Sequence, residues 1–167
     1  PEVHAARLGS NTEFTASVRA SVDAGMPVYA ECAGLMYLAR ELVVDGVPHE
    51  MAGVLDLEVE QRPTPQGHGY EVTVVDRENP FFAAGTRLVG HEFHYSRLIS
   101  GSDRENTVLR VERGTGTGEN RDGISNGRVF ASYLHLHAGA TPEWADGFLS
   151  LAAQFAEERG GSTAACG

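Results

Sequence analysis

The chain has 167 residues, 41% of them hydrophobic and 22% charged, enough for one domain with a real core and too few for two ordinary ones. Thirteen Lys and Arg against twenty-three Asp and Glu leave a net charge of −10 with no basic stripe, which argues against a nucleic-acid partner. No apolar run is long enough to cross a bilayer and no signal-peptide pattern is visible, so a cytoplasmic setting without a membrane partner is expected.

In chain order, Pro1-Glu2-Val3-His4 reads as the middle of a loop. Asn11-Thr12-Glu13 predicts the cap of a helix running to about Ala24, with Phe14, Val18, Ala20 and Val22 as its apolar face. Gly25 ends that helix, and Pro27-Val28-Tyr29-Ala30 reads as a short buried strand. Glu31-Cys32-Ala33-Gly34 follows, and Leu35 to Ala39 opens an apolar helix. From Leu42 the texture changes to short, mostly antiparallel strands at Val43-Val44, Met51–Val59, Tyr70–Val75, Thr86–Val89, His91–Leu98 and Val108–Val111. Arg113 to Gly123 is predicted as a loop or hairpin tip, Gly123 to Gly127 as a turn, and Val129 to Leu134 as a late strand. Thr141 and Pro142 mark a helix start, with Trp144, Phe148, Leu149, Leu151, Ala152 and Phe155 inward and an end near Glu158. The domain is expected over residues 1–159, with 160–167 as a disordered tail that carries an incidental thiol, Cys166.

Chemistry concentrates at Cys32. A strand that turns sharply into a helix lifts one side chain above the sheet edge, and small neighbours such as Ala33 and Gly34 permit the bend. The first free N–H groups of the helix then point at the sulfur and favour thiolate. A buried cysteine is also a common small hydrophobe, so the motif needs a partner. His135, at the end of the late strand, supplies one, and His137 lies on the same side two residues on. A strand-end cysteine and a strand-end histidine are the parts of an acyl-transfer site.

With these residues placed, the chain resembles the glutaminase part of the cobyrinic acid a,c-diamide synthase family, which has the class I glutamine amidotransferase fold. The matching segments are Pro1-Glu2, Pro27 to Leu38, Gly90-His91-Glu92-Phe93-His94-Tyr95-Ser96 and Ala131 to His137, spread over nearly the whole chain. The resemblance implies an α/β, flavodoxin-like three-layer domain with a mixed sheet, incomplete at its N-terminus. It also implies a glutamine-hydrolysing, ATP-dependent amidation of carboxylates on a corrin precursor (cobyrinate or hydrogenobyrinate) in cobalamin biosynthesis. Cys32 matches the nucleophile and His135 its activating histidine. Ala33 stands where the family has a second glycine, and its N–H is the expected oxyanion donor. The wider fold places an orienting glutamate two residues after the histidine, where this chain has His137, so the triad is reduced to a dyad or the orienting group comes from elsewhere, with Glu31 and Glu92 as candidates.

The resemblance further implies that a glycine-rich segment, the first strands and an ATP- and Mg2+-binding synthetase domain precede this chain, so that it would hydrolyse glutamine weakly or not at all by itself. No cofactor is expected within the domain. An unpaired sheet edge would invite a second copy to pair as a homodimer. His94 and Glu92 are placed near the pocket or the synthetase contact, against the alternative that they are strand residues satisfied locally. Two other roles stay open: a metal site built from His91, His94, His135 and His137, and a non-catalytic ammonia-channel or binding module. A glutaminase domain of another tetrapyrrole amidase, such as a nickel-sirohydrochlorin diamide synthase, would carry the same motifs. Gly114-Thr115-Gly116-Thr117-Gly118 has no following lysine or helix and is expected to be a flexible tip, not a phosphate cradle.

Overall fold

The computed structural model describes residues 1–164. The described strands form two sheets. The larger runs β1 (Val28–Glu31), β10 (Val129–Ser132), β9 (Arg121–Asn126), β8 (Thr107–Arg113), β5 (Gly67–Val75), β6 (Arg87–His94). The smaller runs β3 (Val47–Glu50), β2 (Ala39–Val44), β4 (Leu55–Gln61), β7 (Ser96–Ser100). β1 lies parallel to β10 and β2 parallel to β4, while the other neighbours are antiparallel. This is the expected mixed α/β architecture; the second sheet is an addition that short-strand patterning alone does not reveal.

Two apolar layers hold it together. On one face of the larger sheet, Phe130, Leu109 and Leu134 pack with Phe81, Phe82 and Leu151 of helix α4 (Pro142–Ala164), and the Tyr29 ring stacks on Phe130 at 5.2 Å. On the other face, Ala131, Ile124 and Tyr133 meet Leu35, Met36 and Leu38 of helix α3 (Ala33–Leu38) and Leu42, Leu57 and Val59 of the smaller sheet. Val18 and Val22 of helix α2 (Thr12–Asp23) seal the edge of that layer, and the Asn11 side chain caps α2 by accepting the Phe14 N–H. Helix α1 (Ala5–Ser10) precedes it. No described helix is long and apolar enough to cross a membrane.

Several boundaries differ from expectation for identifiable reasons. Phe14 and Ala20 face outward while Thr15 is buried, because Phe14 lies on the Tyr37 ring at the rim instead of in the core. The strand expected from Met51 begins at Leu55, since the N–H groups of Met51 to Val54 are spent on carbonyls of Arg40, Tyr37, Ala39 and Leu38. The strand expected from His91 to Leu98 is split at Tyr95, where the chain passes from the larger sheet to the smaller. Gly123, expected in a turn, sits inside β9 at φ 66°, where a Cβ would lie 2.5 Å from Leu109 Cγ. Leu149 is exposed, not inward. α4 continues to Ala164, past the end expected near Glu158, so the predicted tail is helical over 160–164; each glycine there costs about 1 kcal/mol of helix propensity, which the flanking Ala, Glu and Arg residues tolerate. Cys166 lies outside the described residues.

Candidate active site

β1 ends against β10 at Glu31↔Ser132, and the Cys32 N–H still reaches the Ser132 carbonyl at 2.7 Å. The chain then reverses into α3, and Cys32 itself takes φ 47° and ψ −97°, a conformation a side-chain-bearing residue rarely adopts. The small neighbours predicted for the bend are needed, since a Cβ on Gly34 would stand only 3.0 Å from Ala30 Cβ. The strained elbow carries the sulfur to a half-buried position, with Phe93 O 3.8 Å away. Burial is the largest influence on its acidity and pushes the thiol up, and the charges of Glu2 and Glu31 add to this. The Ala33 N–H pulls the other way without prevailing. The expected resting thiolate is therefore corrected: α3 is a single short turn and a half, too little dipole to offset desolvation, so the thiol needs a base.

His135 stands three residues beyond the end of β10. Its N–H donates to the His91 carbonyl at 2.8 Å and its own carbonyl accepts the His91 N–H at 3.2 Å, which staples it to β6. The two imidazoles stack with centroids 4.9 Å apart. Close approach of the two chains depends on Gly90, where a Cβ would fall 2.1 Å from His135 O. Nδ1 of His135 lies 3.4 Å from Glu31 Oε2. Oε1 of the same carboxylate accepts the Leu136 N–H at 3.0 Å and the Tyr29 hydroxyl at 3.3 Å. Glu31 is thus fixed by two donors, the Leu136 N–H and the Tyr29 hydroxyl, and presents Oε2 to Nδ1, which favours the tautomer with a free Nε2. The carboxylate that faces Nδ1 comes from the strand leading into Cys32, not from the position two residues after the histidine.

The sulfur and the ring are not hydrogen-bonded to each other among the described residues. Each is tied to β6, the Cys32 sulfur lying by the Phe93 carbonyl and the His135 backbone pairing with His91. Two cavities flank the pair. One of about 430 Å³ is lined by His68, Tyr70, His91 and Phe93; the other, of about 320 Å³, by Tyr29, Glu31, Leu136 and Trp144.

The remaining sequence candidates separate from this centre. Glu92 and His94 occupy the inward face of β6, at 2% and 4% exposure. Glu92 accepts the N–H groups of Thr115 and Gly116 at 2.7 and 2.9 Å and contacts His94 Nε2 at 3.3 Å. Burial pushes the Glu92 carboxyl up, yet these donors outweigh it and hold it below the usual carboxylate value. His94 is locked by Ser96 O at 2.7 Å and by stacking on Tyr133 at 3.7 Å. Their local hydrogen bonds make them structural. It is the outward residues of the same strand, His91 and Phe93, that reach the site. His137 is exposed, and its carbonyl accepts the N–H groups of Ala140 and Thr141. The four histidines considered for a metal do not converge, and no group of three or more His, Cys, Asp or Glu among the described residues is arranged to hold one. Loop 114–118 has its Thr115 and Gly116 N–H groups committed to Glu92, so it offers no phosphate cradle. Sequence reasoning missed Tyr29 and Gly90. Alternation along β1 places Tyr29 on the same side as Glu31 and could have revealed it, whereas nothing local marks Gly90.

A family profile for the CobB/CobQ-like glutamine amidotransferase domain matches residues 1–143. This chain belongs to that family. The cobyrinate a,c-diamide synthase of Magnetococcus marinus is 38% identical over 160 residues, covering 96% of this chain and 33% of the relative. The enzyme of the same name from Methanothermobacter thermautotrophicus is 37% identical over 155 residues, covering 93% and 34%. The chain therefore spans about a third of the length of these relatives. A crystal structure of a glutamine amidotransferase superposes with a TM-score of 0.58 over 83% of this chain and 68% of that one, at 22% identity, which establishes the shared fold. Within the family fold, the elbow at Cys32 and the histidine beyond β10 stand at adjacent ends of the parallel strand pair.

Proposed function

We propose that this amidotransferase domain is the glutaminase part of a diamide synthase that amidates carboxylates of a corrin precursor. The observation that carries the proposal is the strained Cys32 elbow beside a histidine whose Nδ1 faces a fixed carboxylate. Glutamine binds over the elbow in the cleft between the two cavities. His135 Nε2 accepts the thiol proton, and Sγ attacks the side-chain carbonyl carbon of glutamine. The resulting oxyanion is met by the Ala33 N–H, the first amide after the nucleophile. Collapse breaks the C–N bond, the proton held on His135 passes to the leaving nitrogen, and ammonia departs. Water, deprotonated by His135 Nε2, then attacks the thioester carbonyl, the C–S bond breaks to release glutamate, and the proton on His135 returns to the sulfur.

ATP and Mg2+ are assigned to the length of the relatives that this chain does not span, because loop 114–118, with its Thr115 and Gly116 amides already taken by Glu92, does not fit a nucleotide. The outward surface of His68, Tyr70, Val89 and Phe93 borders the catalytic pair, is largely exposed, and is the face we assign to a synthetase partner. β1 forms one edge of the larger sheet, and a second copy is assigned to that edge.

A glutamine-analogue electrophile tests the site. One equivalent should attach at Cys32, and His135→Ala should abolish the rapid reaction. Equal labelling of Cys32 and Cys166, indifferent to His135, would make the pair inert and leave a binding module.

A further inference from the structure

Among the described residues four carboxylates are buried, Glu71, Glu92, Asp103 and Asp122, and Glu71 alone lacks a hydrogen-bond donor. Glu71 on β5 is fully buried, and neither of its oxygens meets a hydrogen-bond donor. Asp122 on β9 is equally buried. The two acids meet over one glycine: a Cβ on Gly116 would lie 3.2 Å from Glu71 Oε1 and 2.8 Å from Asp122 Cβ. Asp122 is not idle. Its Oδ2 accepts the Tyr133 N–H at 3.1 Å and the Leu134 N–H at 3.0 Å, and its Oδ1 takes Tyr133 again at 3.2 Å.

These bonds sit at a discontinuity in the sheet. Pairing of β9 with β10 stops at Ala131↔Ile124, and β1 leaves β10 after Glu31↔Ser132. From Tyr133 onward the chain has no strand to hold it until His135 meets His91. The Asp122 carboxylate replaces the missing ladder over the two residues directly before the histidine. Ser132 Oγ closes the same stretch by donating to the Leu134 carbonyl at 3.1 Å.

We propose that Asp122, buried next to Glu71, is the positioning residue for His135, because its carboxylate holds the backbone of the two residues directly before that histidine. Glu71 supplies the proton that lets two buried acids share one negative charge, as a carboxylate pair must when both ions cannot be solvated. Its surroundings agree: burial first, then the charges of Asp122 and Glu92, push Glu71 up to about 10. Burial likewise pushes Asp122 up to about 6 against the pull of the Gly123, Tyr133 and Leu134 N–H groups. The titratable groups facing the pair are Glu92 from β6, Tyr29 from β1 and Tyr133 beyond β10, and none of them brings a positive charge. Burial and mutual repulsion therefore favour a single shared negative charge, with Glu71 the member held protonated.

The inference rests on His135 acting as the base, so the test reads the ring separately from the chemistry. Protein carrying labelled histidines is compared with Asp122→Asn and Glu71→Gln, following the His135 ring signal by NMR and the rate of Cys32 modification by the glutamine-analogue electrophile. The amide of Asp122→Asn turns a donor toward groups that are themselves donors. Its modification rate should fall about 10²-fold, the scale set by a misplacement near 1 Å, and its His135 signal should shift or broaden. Glu71→Gln keeps an uncharged side chain beside Asp122 and should retain the ring signal and the neutral-pH rate.

Glu71→Gln should also alter the pH dependence of stability. A carboxyl raised from 4.5 to about 10 on folding stabilises fully below the lower value and loses that contribution as pH rises to the upper one. The wild-type melting temperature should therefore decline from pH 5 to pH 9 more steeply than that of Glu71→Gln. A folded Asp122→Asn with wild-type rate and ring signal overturns the proposal. If Asp122→Asn does not fold, Glu71→Gln decides: a lost ring signal or an unchanged stability profile overturns it. If wild-type Cys32 ignores the electrophile, the glutaminase assignment fails, while the ring signal still reports whether Asp122 positions His135.

Discussion

Replacing Glu31 by Gln separates orientation from bulk at the catalytic pair. The amide keeps an oxygen for the Leu136 N–H, which Glu31 Oε1 holds at 3.0 Å, so the backbone after His135 stays anchored. What disappears is the negative charge 3.4 Å from Nδ1. Both side chains are less than a third exposed, at 29% for His135 and 26% for Glu31, so solvent screens the contact only in part. A partly exposed charge contact of this kind contributes about 1 kcal/mol, which converts to a rate loss of roughly fivefold when it acts on the imidazolium formed during thiol deprotonation. The loss stays well below the ~10⁴-fold seen when a buried triad aspartate is neutralised, because the contact here is longer and partly wet. The assay is the second-order rate constant for Cys32 modification by a glutamine-analogue electrophile, measured against pH, with circular dichroism to confirm the fold. A folded Glu31→Gln protein that reacts at the wild-type rate across the profile would refute an orienting role for this carboxylate.

Three further outcomes follow from the geometry. Gly90→Ala drives a Cβ to 2.1 Å from His135 O, a backbone atom that cannot swing aside, so chemical denaturation should show a loss of about 1–3 kcal/mol, and a change under about 0.5 kcal/mol would contradict the close packing of β6 on that segment. Cys32→Gly releases a strained φ of 47°, a relief of about 1–3 kcal/mol against ~0.5–1 kcal/mol of extra chain entropy, so the inactive variant should melt higher than wild type; a lower melting temperature speaks against stored strain. Because burial raises the thiol above its ordinary value, His135→Ala should slow alkylation by a small neutral reagent near pH 7, with the two rates converging as pH climbs past the thiol's titration. Equal rates at every pH would show that the histidine does not serve as base.

The two halves of the site were legible along the chain to different degrees. The elbow could be read because it is local: a four-residue apolar strand, a cysteine between small residues and a short helix leave few conformations, and φ 47° at Cys32 is the form such a bend takes. His135 could be read as a strand-end residue for the same reason. For Glu92 and His94 the sequence left two roles open, because strand alternation gives two faces without saying which one is solvent, and Glu92 accepts Thr115 and Gly116 N–H groups from a loop more than twenty residues away. Gly123 was read as a turn because glycine marks both turns and tight interior contacts, and Leu109 across the sheet decided for the second.

By itself the sequence indicated the fold class through its short-range periodicity, while motifs of contiguous residues carried the resemblance to the family and singled out Cys32 and His135 as candidates. Only the tertiary structure decided what surrounds them: that Glu31 faces the ring, that burial pushes the Cys32 thiol up, and that Asp122 takes over where the β10 ladder ends. Those outcomes depend on distances between residues far apart in the chain and on how much water folding removes, and neither quantity is encoded at any one position.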